Sequence, residues 1–173
     1  MWNPIAIEPM RACHLDDVMR IDRLCFSTPW ARAVFQAELA NRASCYLVAK
    51  IADRIVGFGG ETVLLGEAHI SILAVSPEWR GKKIGECLLC ALLEEALRLH
   101  AHYATLEVRQ SNLIAQSLYA KYGFRPYSLR PHYYTDNAEH AIVMRLDAMD
   151  TPAYRAQLQQ LRNQMPDLTC RTY

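Results

Sequence analysis

No window of the chain reaches the roughly 18 uninterrupted apolar residues of a membrane-crossing helix. The opening stretch MWNPIAIEPMRACHLDD has neither a basic leader nor a sustained apolar core. A soluble, cytoplasmic protein is expected, with no membrane partner. An excess of charge is missing as well: 19 Lys and Arg face 18 Asp and Glu, for a formal net charge of +1. That balance argues against a duplex-DNA footprint, an acidic tail or a disordered chain. Glycine is sparse, and neither a Walker loop nor G-x-G-x-x-G is present, because Gly81 and Gly85 are not followed by Lys-Ser or Lys-Thr. None of the six histidines (His14, His69, His100, His102, His132, His140) falls at ligand spacing, so no metal is expected. The six cysteines are scattered, which suits reduced thiols rather than a disulfide framework. Cys87 and Cys90 spell C-x-x-C, but inside an apolar helical pattern and without a second pair. Internal repeats and low-complexity segments are also lacking.

What is present is enough for one domain: 173 residues, 51% of them hydrophobic. A strand is expected at Ile5–Met10, followed by a helix whose apolar residues Leu15, Val18, Met19, Ile21, Leu24 and Cys25 lie near helical period. A second helix is expected after STPW, with Ser27 or Thr28 as cap and Pro29 in its first turn. Three strands follow at Cys45–Ile51, Ile55–Leu64 and Ala68–Val75. The connections between them are so short that they permit only antiparallel neighbours. Ile84, Leu88, Ala91, Leu92, Glu95 and Leu99 mark a helix of roughly four turns. A strand at Tyr103–Val108, a helix at Leu113–Lys121 stopped by Gly123, and strands at Tyr127–Tyr134 and Ala141–Leu146 complete the series. From Pro152 onward, Tyr154, Leu158, Leu161 and Met165 form one stripe of an appended amphipathic helix, packed on the domain or on a partner.

Two places carry chemistry. In AVSPEWRGKKIGECLL a strand runs into a basic, glycine-bearing loop and then a helix start. Unpaired backbone amides and the positive end of a helix dipole converge there, which makes an anion site, with side-chain charge from Arg80, Lys82 and Lys83. A solvated basic turn is the alternative reading. In YATLEVRQSNLIAQSLYAKYGF, strand alternation puts Tyr103, Thr105, Glu107 and Arg109 on one face. A carboxylate in mid-strand is costly unless it meets water, a partner or a task. Asn112 and Tyr119 are seven residues apart on the next helix and share a face.

LAVSPEWRGKKIGECLL and LEVRQSNLIAQSLYAKYGF resemble the acetyl-CoA motifs of the GNAT N-acetyltransferases, and the order of elements from Ile5 to Leu146 matches that fold. CFSTPW, LEVR and RPHYYTDNAEHAIVMRL are similar more narrowly to RimI-type enzymes, which acetylate the N-terminal alanine of a ribosomal protein. The resemblance implies an α+β GNAT fold with a mixed, mostly antiparallel sheet of about seven strands flanked by helices. It also implies an acetyltransferase domain over residues 1–149 and a helical tail over 150–173.

By the same resemblance, Leu73, Ala74 and Val75 offer backbone groups to the pantetheine arm of acetyl-CoA. The loop of Arg80, Gly81, Lys82, Lys83, Ile84, Gly85 and Glu86 wraps its pyrophosphate, and Asn112 and Tyr119 complete the cofactor contacts. Lys83 departs from the pattern, standing where the first glycine is usual. If the site requires positive φ, it is strained by about a kilocalorie or more.

Acetyl transfer from a thioester to an amine needs a neutral nucleophile, a stabilised oxyanion and a proton for the departing thiolate. The analogy assigns Glu107 as base, through water, and Tyr119 as acid. Without it, Glu107 reads as a salt-bridged strand residue and Tyr119 as a packing tyrosine. Asn112 also reads as a plain helix cap. Phe26, Pro29, Trp30, Tyr133 and Tyr134 are expected to line the acceptor groove, an aromatic slot suited to a protein or peptide N-terminus. A small-amine or lysine acetyltransferase, a non-catalytic acyl-CoA-binding module and a ribosome-binding module are the competing readings.

Overall fold

A computed structural model of the chain describes residues 4–165 and 168–170. Its elements are β1 (Ile5–Pro9), α1 (Leu15–Cys25), α2 (Arg32–Ala40), β2 (Ser44–Ile51), β3 (Arg54–Leu64), β4 (Glu67–Val75), α3 (Ile84–Arg98), β5 (Tyr103–Arg109), α4 (Leu113–Lys121), β6 (Arg125–Arg130), β7 (Ala141–Leu146), α5 (Pro152–Asn163) and β8 (Leu168–Cys170). The strands form one sheet in the order β6-β7-β5-β4-β3-β2-β1-β8. Only β4–β5 and β1–β8 are parallel pairs, so the sheet is mixed and mostly antiparallel, as expected. The three-residue β8 at the far edge is an addition to the expected set.

Helices cover both faces. Leu15, Val18 and Ile21, three residues apart, put one stripe of α1 wholly out of solvent against Phe35, Tyr46 and Phe58. Asp16 and Asp17 in its first turn complement the helix dipole. On the other face α3 buries Leu88, Leu89 and Leu92 completely. Cys87 and Cys90 lie buried inside that helix, while the side chain of Cys170 lies outside the described residues. Tyr154 and Leu158 of α5 join the same core, and the Tyr154 hydroxyl donates to the Tyr122 carbonyl at 2.9 Å. None of the described helices is long and apolar enough to cross a membrane.

Two expectations fail. The second helix begins at Arg32 with Ala31 as its N-cap, so Pro29 is in the preceding loop rather than the first turn. That loop is held instead by buried Asp22, whose Oδ2 accepts the Trp30 backbone N–H at 2.7 Å. The strand expected at Tyr127–Tyr134 starts at Arg125 and stops at Arg130. Pro131 cannot extend the ladder and His132 has φ 51, so the chain turns there despite its aromatic run.

The feature that positions the site is an irregularity in β4. Opposite β3, Gly60 pairs with Ile72 and Glu61 with Ile70, which leaves Ser71 as an extra residue. Pairing of β4 with β5 ends at the same point, its last pair being Ile70 and Leu106. A bulge bends its strand and increases the local twist. Beyond it the two parallel strands no longer pair, and the backbone of Ser71–Val75 borders the gap between them. The bulge also exchanges faces: Ala68 and Ile70 belong to the α3 core, Ile72 and Ala74 to the α1–α2 core.

Candidate active site

A cleft of about 620 Å³ occupies the region where β4 and β5 part. Leu73, Glu107, Asn112 and Tyr119 line it, as do Phe26, Trp30, Tyr133 and Tyr134. Pro29 does not line it. Ala74 packs into the α1–α2 core, and Val75 packs against the α3 core.

Glu107 projects from β5 with only 10% of its side chain exposed and two cationic partners. Its Oε2 is 3.3 Å from His69 Nε2 and its Oε1 is 3.1 Å from Arg130 Nη2. The His69 hydrogen bond, against the opposing effect of burial, holds the carboxyl below its usual range, with further help from the charges of His69 and Arg130. The carboxylate is therefore paired, as the bland reading supposed, and it also faces the cleft.

Tyr119 is 8% exposed, and its ring is 5.9 Å from that of Phe124. Burial, with a smaller contribution from Tyr134, pushes its hydroxyl up to about 12, so it carries its proton throughout the neutral range. Asn112 is both the cap of α4, its Oδ1 accepting from Ala115 N at 3.1 Å, and a residue of the cleft wall.

The loop ahead of α3 has left-handed residues at Gly81 (φ 75) and Lys83 (φ 62), so Lys83 holds the conformation for which glycine is usual. The amides of Ile84, Gly85 and Glu86 in the first turn of this 15-residue helix have no intrahelical acceptor. The Lys82 ammonium lies 4.3 Å from the centre of the Trp79 ring, and Arg80 Nε donates to the Val75 carbonyl at 3.3 Å. The Ile84 side chain is buried in the core, and the Glu86 carboxylate is paired with Lys121 and meets the Tyr122 hydroxyl. These two residues thus present main-chain groups to the loop while their side chains are engaged elsewhere. A turn of free amides at a helix N-terminus, continuous with an unpaired strand edge, fits a diphosphate joined to an extended arm.

Residues 15–124 match the acetyltransferase (GNAT) family. The chain belongs to the GNAT acetyltransferase family. A Bacillus subtilis (strain 168) protein named as a candidate [ribosomal protein bS18]-alanine N-acetyltransferase is 37% identical over 145 residues, which is 83% of this chain and 96% of that one. The [ribosomal protein bS18]-alanine N-acetyltransferase of Haemophilus ducreyi is 33% identical over 134 residues, covering 75% and 90% of the two chains. Among solved structures, the ribosomal-protein-S18-alanine N-acetyltransferase of Escherichia coli superposes with a TM-score of 0.77 at 27% identity, covering 83% of this chain and 94% of that one. The acetyltransferase is accordingly an enzyme that takes its acetyl group from acetyl-CoA.

The sequence does not single out His69 and Arg109, which line the cleft, or Arg130, which pairs with Glu107, as site residues. Arg109 Nη2 binds both Asp136 oxygens, at 2.9 and 3.0 Å, and its Nη1 reaches Glu139 Oε2 at 3.1 Å. Its guanidinium stacks on Tyr134 at 3.9 Å. Ser27 Oγ donates to Asp136 at 2.5 Å, tying the α1–α2 loop to the β6–β7 loop. The same-face alternation of Glu107 and Arg109 was the available signal for Arg109. For His69 it was its place two residues before the bulge, which nothing in the sequence marks.

Proposed function

We propose that this acetyltransferase moves the acetyl group of acetyl-CoA onto the N-terminal α-amine of a protein chain with a small first residue, a ribosomal protein being the reference case. The observation that carries the reading is the slot over Glu107. Phe26 and Trp30 from the α1–α2 loop and Tyr133 and Tyr134 from the β6–β7 loop line it, and the Ser27–Asp136–Arg109 tie joins those loops. An aromatic slot of this kind suits an extended chain end. The names of the relatives point the same way.

Within that reading, the amides of Gly81 and Ile84–Glu86 hold the diphosphate, and the backbone of Leu73–Val75, beyond the last β4–β5 pair, receives the pantetheine arm. Bound acetyl-CoA supplies a thioester as acyl donor. Glu107 accepts the proton that the ammonium must lose before attack; as the adduct collapses, the Tyr119 hydroxyl donates to the departing sulfur and is reprotonated by the second proton the nitrogen gives up. A free α-amine has a pKa of about 7.7 to 8.0, so only a modest base is required.

The test is an acetyl-CoA assay on peptides that differ only at residue one, with lysine-only peptides and polyamines alongside. Alanine and other small first residues should be acetylated fastest. Acetylation confined to lysine side chains or polyamines contradicts the proposal.

A further inference from the structure

The network beneath Glu107 reaches further than base and acid. Tyr103 on β5 donates to Glu67 Oε2 at 3.1 Å, and Thr105 Oγ1 donates to Glu67 Oε1 at 2.6 Å. Thr105 Oγ1 also lies 2.9 Å from His69 Nδ1. A hydroxyl has one hydrogen, and here the Glu67 carboxylate, which can only accept, takes it. Thr105 therefore meets the ring as an acceptor, so His69 Nδ1 carries a hydrogen and Nε2 is left for Glu107. In the neutral ring that nitrogen is a bare lone pair aimed at a carboxylate, and in the charged ring it donates to it.

Exposure runs the same way. The His69 side chain is 40% exposed whereas that of Glu107 is 10% exposed. The carboxylate that faces the cleft thus has an imidazole between itself and bulk water.

We propose, resting on the function above, that His69 is the relay and positioning residue of the reaction: it receives through Glu107 the proton lost by the acceptor amine and releases it to solvent. One N–H bond of the ammonium breaks as a Glu107 O–H forms, that O–H breaks as His69 Nε2–H forms, and the imidazolium gives its proton to water. No electrons change hands. Thr105 and Glu67 fix the tautomer, and Arg130 keeps Glu107 ionised between turnovers.

The charged groups around His69 are Glu107 on β5, Glu67 on its own strand and Arg130 on β6. Across the cleft stand Cys25 at the end of α1 and Tyr133 and Tyr134 in the β6–β7 loop. Burial raises the Cys25 thiol and pushes Tyr134 up to about 12, so neither is charged at neutral pH. The Glu107 hydrogen bond, against the cost of burial, raises His69 above its ordinary 6.5, and the charges of Glu107 and Glu67 add to the rise. The rise makes the neutral ring a better proton acceptor than a free imidazole.

The experiment is a nitrogen-15 titration of the histidine rings beside single-turnover rates against pH, with acetyl-CoA and an alanine-first peptide both saturating. In the parent, His69 should show the Nδ1–H tautomer and a pKa above 6.5 that falls in Glu107→Gln. The parent rate should rise with pH through that same value. In His69→Gln the rate near pH 8 should drop about tenfold or more, and the acid limb should move into the carboxylate range. Thr105→Val, which keeps volume and fold, should move the limb to lower pH. An Nε2–H tautomer, or an active His69→Gln whose profile superimposes on the parent's, overturns the relay alone. A parent inert towards every α-amine overturns the function and the relay with it.

Discussion

At the scale of single residues, the roles proposed for Glu107, Tyr119 and His69 make separate predictions. Glu107→Gln and Tyr119→Phe should each lower turnover by about 10²-fold or more while coenzyme A still binds, read by steady-state rates and calorimetric titration. Equal turnover in both variants contradicts the roles assigned. The Glu107–His69 pair also carries a stability signature. Glu107 is lowered from 4.5, so its contribution is present above 4.5 and lost as pH falls through the folded value. His69 is raised from 6.5, so its contribution is present below 6.5 and lost as pH rises through its folded value. The loss of Tm in His69→Gln should therefore be largest between 4.5 and 6.5, as thermal melts across that range will read out. The faces on which Glu107 and Tyr119 lie were legible because strand and helix periods assign them from sequence alone, whereas the roles proposed for them came from the family resemblance. His69 was not, because its meeting with Glu107 depends on the register of two parallel strands joined through a helix, which no local pattern encodes.

Buried Glu61 on β3 has the opposite sign. It is wholly buried beside α3, neither carboxyl oxygen has a hydrogen-bond partner among the described residues, and burial, with Glu95 nearby, raises its pKa well above the ordinary 4.5. The unfolded chain ionises first as pH rises, so folding loses stability above 4.5. Glu61→Gln should have a higher Tm than the parent at pH 8 and no advantage at pH 4. A difference independent of pH would contradict a neutral Glu61.

At the scale of elements, the loops decide what the strands and helices can hold. Lys83 gives the loop before α3 its left-handed turn, a conformation a lysine adopts at a cost of roughly 1 kcal/mol and a β-branched residue at more. Lys83→Gly should fold and bind coenzyme A like the parent. Lys83→Val should bind it less tightly and melt earlier, and unchanged binding in Lys83→Val contradicts a site built on this turn. Asp22 plays the corresponding part for the acceptor wall. Asp22→Ala leaves the Trp30 amide without its buried acceptor, a loss of about 1–3 kcal/mol, and should raise the peptide KM more than it lowers kcat.

The hairpins β2–β3–β4 were legible, because tight turns separate runs of strand formers. The bulge at Ser71 was not: one extra residue changes register without altering composition. The end of β6 was misread because aromatic residues continue past Arg130, while the stop is set by Pro131 and the backbone of His132.

At the scale of the whole molecule, the two helical layers and the parted strands form one arrangement. The α1–α2 loop brings Phe26 and Trp30 to the cleft, and the start of α3 brings the amides of the proposed diphosphate site, with the gap between β4 and β5 opening into the same cleft. The α5 helix, expected as an appendage, contributes Tyr154 and Leu158 to the α3 core, where stability and catalysis separate. The family match over residues 15–124 ends before α5 begins.

The most direct measurement uses one peptide with a free N-terminal alanine and an internal lysine, incubated with the enzyme and acetyl-CoA, the acetyl group then located by fragment mass spectrometry. The account predicts acetyl on the alanine α-nitrogen, with the lysine side chain unmodified. Acetyl on the lysine side chain instead, or on neither nitrogen, would contradict it.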